Sequence, residues 1–214
     1  MNGLFYIEII FTALAFGSLI AYHIRHFFQM KQETPITDIG RNNQVRARWV
    51  RTIMEERRDI LAVQTLRNWT MAATFLASTA MLISLGVLNL ALSTEKMSEV
   101  SSLLNLFGSH HIVLWATKLL VLTLTFFFAF FSFTLAVRYY NHVGFMINVP
   151  VAGNSESDKR TVSKILNRGA MHYHLGMRAY YISIPLILWL LGPTWLLLGS
   201  LVLTAVLRRL DRPT

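Results

Sequence analysis

The chain has 214 residues, 54% of them hydrophobic and only 14% charged, which together with its long apolar runs excludes an ordinary soluble domain. It contains no cysteine, so disulfides, thiolate metal sites and cysteine nucleophiles are excluded too. The net charge of +9 lies beside apolar runs with no nucleic-acid motif, so the expected partner is the lipid bilayer with its anionic headgroups, and no nucleic acid.

The first stretch, MNGLFYIEIIFTALAFGSLIAY, lacks a basic leading region and carries Glu8 inside its apolar run. It reads as a retained membrane helix rather than a removed signal peptide. Three more runs are long and apolar enough to span, which gives four transmembrane helices over residues 4–22, 69–92, 112–137 and 180–207. The later runs exceed a hydrocarbon core of roughly 30 Å and must tilt, kink or protrude.

Lys and Arg counts set the orientation. Residues 23–67 hold nine basic residues and residues 138–178 hold six, whereas the loop after the second run has only Lys96 against Glu95 and Glu99. The positive-inside rule then places a multi-pass protein in the cell membrane with both long loops cytoplasmic and both termini outside. Arg208, Arg209 and Arg212 disagree, because they follow the last run on the outer side. A re-entrant fourth segment turning at Gly192-Pro193 is the alternative that removes the conflict.

Residues 44–84 carry the charged segment into the second span without a visible helix breaker, so one continuous helix is expected there. The two cytoplasmic loops also look alike. Each begins with a His/Arg exit (HIRHFFQM, RYYNHVGFM), passes a polar turn and ends in a basic helix, 41–67 or 155–178, with the run-ins LRNW and MRAY. The whole chain, 1–214, is then a single membrane domain of two tandem helix pairs, 1–92 and 110–214, a parallel internal repeat.

The run ARWVRTIM, followed by ILAVQTLRNWTMAATFLASTAMLI, resembles the signature of the domain-of-unknown-function 599 family of integral membrane proteins. The resemblance extends over nearly the whole chain and is most specific at Gln64-Thr65-Leu66-Arg67-Asn68. It implies the four-helix plan and supplies no activity, substrate or catalytic residue.

Four groups of residues carry the candidate chemistry. Ala73, Ala77, Ala80 and Ser84 recur at i, i+4, i+7 and i+11, a small-residue stripe for close helix packing within the chain or with a second copy or partner membrane subunit. Gln64, Arg67 and Asn68 share a face where the second span begins, and His174 and Arg178 share one where the fourth begins. Brought together by the repeat, the two faces form a basic vestibule that attracts anions; taken separately, the arginines snorkel to headgroups. Glu8 and Lys118 lie at similar depth in two spans that run the same way, so an intramembrane ion pair between them is expected.

His23, His26, His142, His172 and His174 gather at the cytoplasmic boundary. A transition metal is therefore the candidate cofactor. No histidine sits at mid-membrane to ligate haem, and His110-His111 fall on the outer side. Paired carboxylates, GxSxG and a P-loop are absent from the spans. The reading is an all-α integral membrane protein acting as a transporter or channel-like module, or a subunit of one. A His-dependent metal- or redox-linked protein and a non-catalytic scaffold or assembly subunit are the alternatives.

Overall fold

The structure is a computed structural model that describes residues 2–31, 38–104, 112–149 and 156–211. Among the described residues it contains helices and no strand. In chain order these are α1 (Asn2–Lys31), α2 (Asp38–Glu56), α3 (Asp59–Leu92), α4 (Thr94–Leu104), α5 (Ile112–Met146), α6 (Glu156–Leu191) and α7 (Pro193–Leu210). Five of them, all except α2 and α4, contain a stretch long and apolar enough to cross a membrane.

Helix α5 is the centre of the bundle, with α3 along one side and α6 along another. Its buried residues Trp115, Leu122, Phe126, Ala129, Phe133 and Ala136 repeat at helical spacing. α3 meets it through the small side chains Ala73, Ala77, Ala80 and Ser84, all buried, and the Ser84 hydroxyl donates to the Thr123 carbonyl at 3.0 Å. α6 comes equally close at Gly176, where a Cβ would stand 2.7 Å from Phe133 Cζ. Only glycine leaves room for that ring.

The expected count of four helices long and apolar enough to span is corrected to five, because the expected segment over 180–207 is two helices. Gly192 has φ 141° and ψ 166°, a conformation open almost only to glycine, and it follows directly on the end of α6. Pro193 then sits at the first position of α7, where its missing N–H costs nothing. α7 therefore folds back antiparallel along α6, and Gly199 packs against Pro185 and Leu188.

The expected continuity from the charged segment into the second span also fails. α2 ends at Glu56, Arg57 adopts φ 52°, and the Arg58 N–H bonds the Ile53 carbonyl at 3.2 Å. That six-to-one bond around a left-handed residue is a Schellman cap. Released from α3, α2 lies across the first half of α6, held there by Arg51–Glu156 at 2.5 Å and Lys159–Glu55 at 2.7 Å. Residues 156–178 of the second half, by contrast, run unbroken into the apolar part of α6. α1, moreover, packs on α7.

Candidate functional site

At one end of the bundle α2, the start of α3, the end of α5, the middle of α6 and the end of α7 surround a half-open cavity of about 540 Å³. This lies within the range of small-molecule pockets, roughly 300–1,000 Å³. α6 forms its floor through Asn167, Met171, His174 and Arg178. Asn43, Arg46, Trp69 and Tyr140 line one side, and Leu207, Leu210 and Asp211 the other. Most of the wall is apolar or aromatic, and the charged groups fall into two sets.

The first set exists because α7 folds back. The return brings Asp211 beside Arg178, and α1 supplies Tyr22 on a third side. One guanidinium nitrogen of Arg178 stands 2.5 Å from both Asp211 carboxylate oxygens. Its Nη1 donates to the Tyr22 hydroxyl at 3.2 Å, and the Tyr22 hydroxyl itself donates to Asp211. Nε donates to His174 Nε2 at 3.1 Å, one turn earlier on α6. His174 must therefore leave that nitrogen unprotonated and be a neutral imidazole. Arg178 is only 6% exposed, and its charge is matched by Asp211. The cluster fastens α1, α6 and α7 together as a charge-neutral unit.

The second set is centred on Arg46. Its Nε donates to Asn167 Oδ1 at 2.8 Å and its Nη2 to Asn43 Oδ1 at 2.5 Å. Both acceptors are neutral amides, so Arg46 is oriented without being neutralised. Burial lowers its pKa from the ordinary value, with Tyr140 acting in the opposite sense, and a guanidinium stays charged regardless. With Arg178 matched by Asp211, the Arg46 charge is, among the described residues lining the cavity, the one with no carboxylate against it.

Behind Tyr173 of the lining, toward the middle of the bundle, lies an aromatic cluster. Phe133 meets Tyr173 at 5.5 Å and Tyr180 at 5.7 Å, and Phe126 meets Tyr180 at 5.7 Å. The Tyr180 hydroxyl donates to the Leu76 carbonyl at 2.8 Å, tying α6 to α3 beside that cluster.

The vestibule expected from Gln64, Arg67, Asn68, His174 and Arg178 is divided by the structure. His174 and Arg178 line the cavity, whereas Gln64, Arg67 and Asn68 are exposed on the face of α3 turned away from α5. Ala62, Leu66 and Ala73 take the inward face, which leaves the polar three outside.

The structure places Lys118 Nζ 3.5 Å from Glu8 Oε1, near the end of the bundle opposite the cavity. Lys118 is fully buried, with its ammonium 5.7 Å from the Trp115 ring centre and 5.5 Å from that of Trp189. The separation is that of an ion pair rather than a tight hydrogen bond.

Among the described residues the histidines make separate contacts. His23 Nδ1 bonds the Leu19 carbonyl at 2.8 Å, His142 is exposed, His172 stacks on Tyr139 at 5.4 Å, and His174 serves Arg178. The side chain of His26, like His110 and His111, lies outside the described residues. Among the described residues no three of His, Asp and Glu are grouped to hold a metal.

Arg46, Asn43, Tyr22 and Asp211 are the site residues that sequence reasoning missed. The i, i+3 spacing of Asn43 and Arg46 was a signal for the first two. Asp211 could be found only by reading Gly192-Pro193 as a reversal, since a helical hairpin there carries the end of the chain back toward Arg178.

The sequence model of the family described as "Protein of unknown function, DUF599" matches residues 10–214 of this chain. No curated protein and no solved structure matches it.

Proposed function

The chain belongs to the DUF599 family of proteins of unknown function, and we propose that it is a multi-pass membrane carrier or binding module whose ligand docks at the basic end. In this reading five helices cross the cell membrane, the basic end faces the cytoplasm, and the start of α1 and α4 lie outside. The return of α7 supports that orientation. Arg208 and Arg209 join the arginines of α2 and the first half of α6 at one end, while α4 has Lys96 against Glu95 and Glu99.

The observation that carries the function is the half-open cavity of about 540 Å³ with apolar and aromatic walls and few charged groups. Between the cavity and the middle of the bundle Phe126, Phe133, Tyr173 and Tyr180 pack ring on ring. That packing suits a carrier open to one side better than an open channel, and Gly192 and Pro185 give α6 and α7 natural hinge points. Purified protein screened by thermal shift against lipids and small organic acids should yield stabilising compounds. Ala72→Trp, which puts an indole into the cavity, should abolish the stabilisation and any uptake of those compounds into proteoliposomes. Equal stabilisation and uptake in both proteins would refute the site.

A second reading, assembly through α3, is favoured by the exposure of Gln64, Arg67 and Asn68 beside Met71 and Phe75 on one face. Amides at a membrane interface suit contact with another helix of a second copy or partner subunit. Disulfide cross-linking of Phe75→Cys in membranes tests it, and a purely monomeric product would end it.

A further inference from the structure

We propose that the cavity selects an amphiphile with an anionic head, a phosphate ester or carboxylate, with Arg46 as the head's anchor and the wall of α7 against its tail. This rests on the reading of the cavity as a ligand site and specifies what enters it. The argument begins with charge. Arg178 is matched by Asp211 through both carboxylate oxygens, and His174 accepts from Arg178 as a neutral ring. Among the described residues Arg46 hydrogen-bonds the side-chain oxygens of Asn43 and Asn167, both neutral. A half-buried guanidinium braced by neutral acceptors is costly unless an anion completes it, and it is preorganised for one. Amide donors from Asn42, Asn43 and Asn167 line the same side.

Shape supplies the rest. Leu207 and Leu210 of α7 face Trp69 and Ala72 of α3 across the opening, so a tail extending from Arg46 along the cavity meets apolar surface. Leu210 is itself 61% exposed, so that wall continues out of the cavity onto the apolar flank of the bundle. The volume of about 540 Å³ suits a head and part of a chain, not a whole two-chain lipid, and the half-open form lets the remainder lie outside. The neighbouring Lys164 and Arg168 of α6 and Arg48 of α2 are exposed and raise the local concentration of anions without fixing one.

The test compares binding to detergent-purified, delipidated protein by native mass spectrometry and thermal shift. The probes are phosphatidylglycerol, phosphatidylcholine with the same acyl chains, and decyl phosphate. Wild type should bind the anionic lipid roughly tenfold or more tightly than the zwitterionic one, the scale of one charge-assisted contact. Arg46→Gln should erase the difference, whereas Arg48→Gln, with the same change in net charge, should keep it. The preference should also shrink as salt is raised in wild type, which tests the charge even if Arg46→Gln does not fold. Decyl phosphate binding with the same Arg46 dependence, and better than phosphatidylglycerol, supports the anion and identifies a soluble amphiphile as its source. An anionic preference that survives Arg46→Gln, or one insensitive to salt, overturns the proposal. The reading beneath it fails separately, if Ala72→Trp leaves the binding of all three probes unchanged.

Discussion

Replacing Lys118 with methionine should destabilise the protein by about 3–5 kcal/mol, and adding Glu8→Gln should restore much of that loss. Lys118 is fully buried and Glu8 is 5% exposed, with nitrogen and oxygen 3.5 Å apart. At that separation and an effective dielectric near 20 the gross attraction is about 5 kcal/mol, which offsets the cost of desolvating both groups. Methionine fills nearly the same volume, so the cavity cost is small and the loss reports the removed ammonium beside Glu8. Unfolding in a fixed detergent, followed by circular dichroism, should show a fall in Tm on the order of 10 °C for Lys118→Met. The double mutant should recover by a coupling of about 1–3 kcal/mol. Strict additivity of the two single changes would refute the pair. The Trp115 and Trp189 rings around the ammonium would then be its only effective stabilisers.

Gly192→Ala should cost about 1–3 kcal/mol, because φ 141° excludes a Cβ; a Tm equal to wild type would mean the reversal is not formed there. Asp211→Asn should cost about 1.5–3 kcal/mol by loosening the contacts to Arg178 and Tyr22, and should speed modification of a cysteine placed at Leu210. An unchanged modification rate would show that Asp211 does not fasten α7. The chain has no cysteine, so single cysteines report cleanly on sidedness. Cysteine at Ser157 and at Leu210 should react from the cytoplasmic face and at Ser98 from the outer face of intact cells, and labelling of Ser98 and Ser157 from one side would refute the orientation.

Two helix limits were legible in the sequence because apolar length marks them. The runs ending at residue 92 and starting at 112 coincide with the end of α3 and the start of α5, and the small-residue stripe is buried against α5. The break between α2 and α3 was not legible. Its left-handed residue is Arg57, where glycine or asparagine would have signalled a cap, and the flanking Glu-Glu and Arg-Asp pairs are good helix residues. The helix reversal was legible but ambiguous. Gly-Pro at 192–193 serves a kinked span and a hairpin alike, and only the unexplained Arg208 and Arg209 favoured the second.

The polar site was misplaced by weighing which residues stood together rather than which way they faced. On an α-helix the centre of Gln64, Arg67 and Asn68 points about 165° away from the stripe Ala73, Ala77, Ala80 and Ser84, at roughly 100° per residue. The stripe that packs α3 on α5 therefore turns those three outward, and the structure leaves them exposed. The arginines that do meet the cavity reach it by two other routes. Arg46 arrives because the Arg57 cap frees α2 to lie across α6, where Asn167 receives it. Arg178 is neutralised only because Gly192 sends α7 back with Asp211. Two backbone reversals, each at a residue in an unusual conformation, thus decide which charge in the cavity is free to meet a ligand and which is already satisfied.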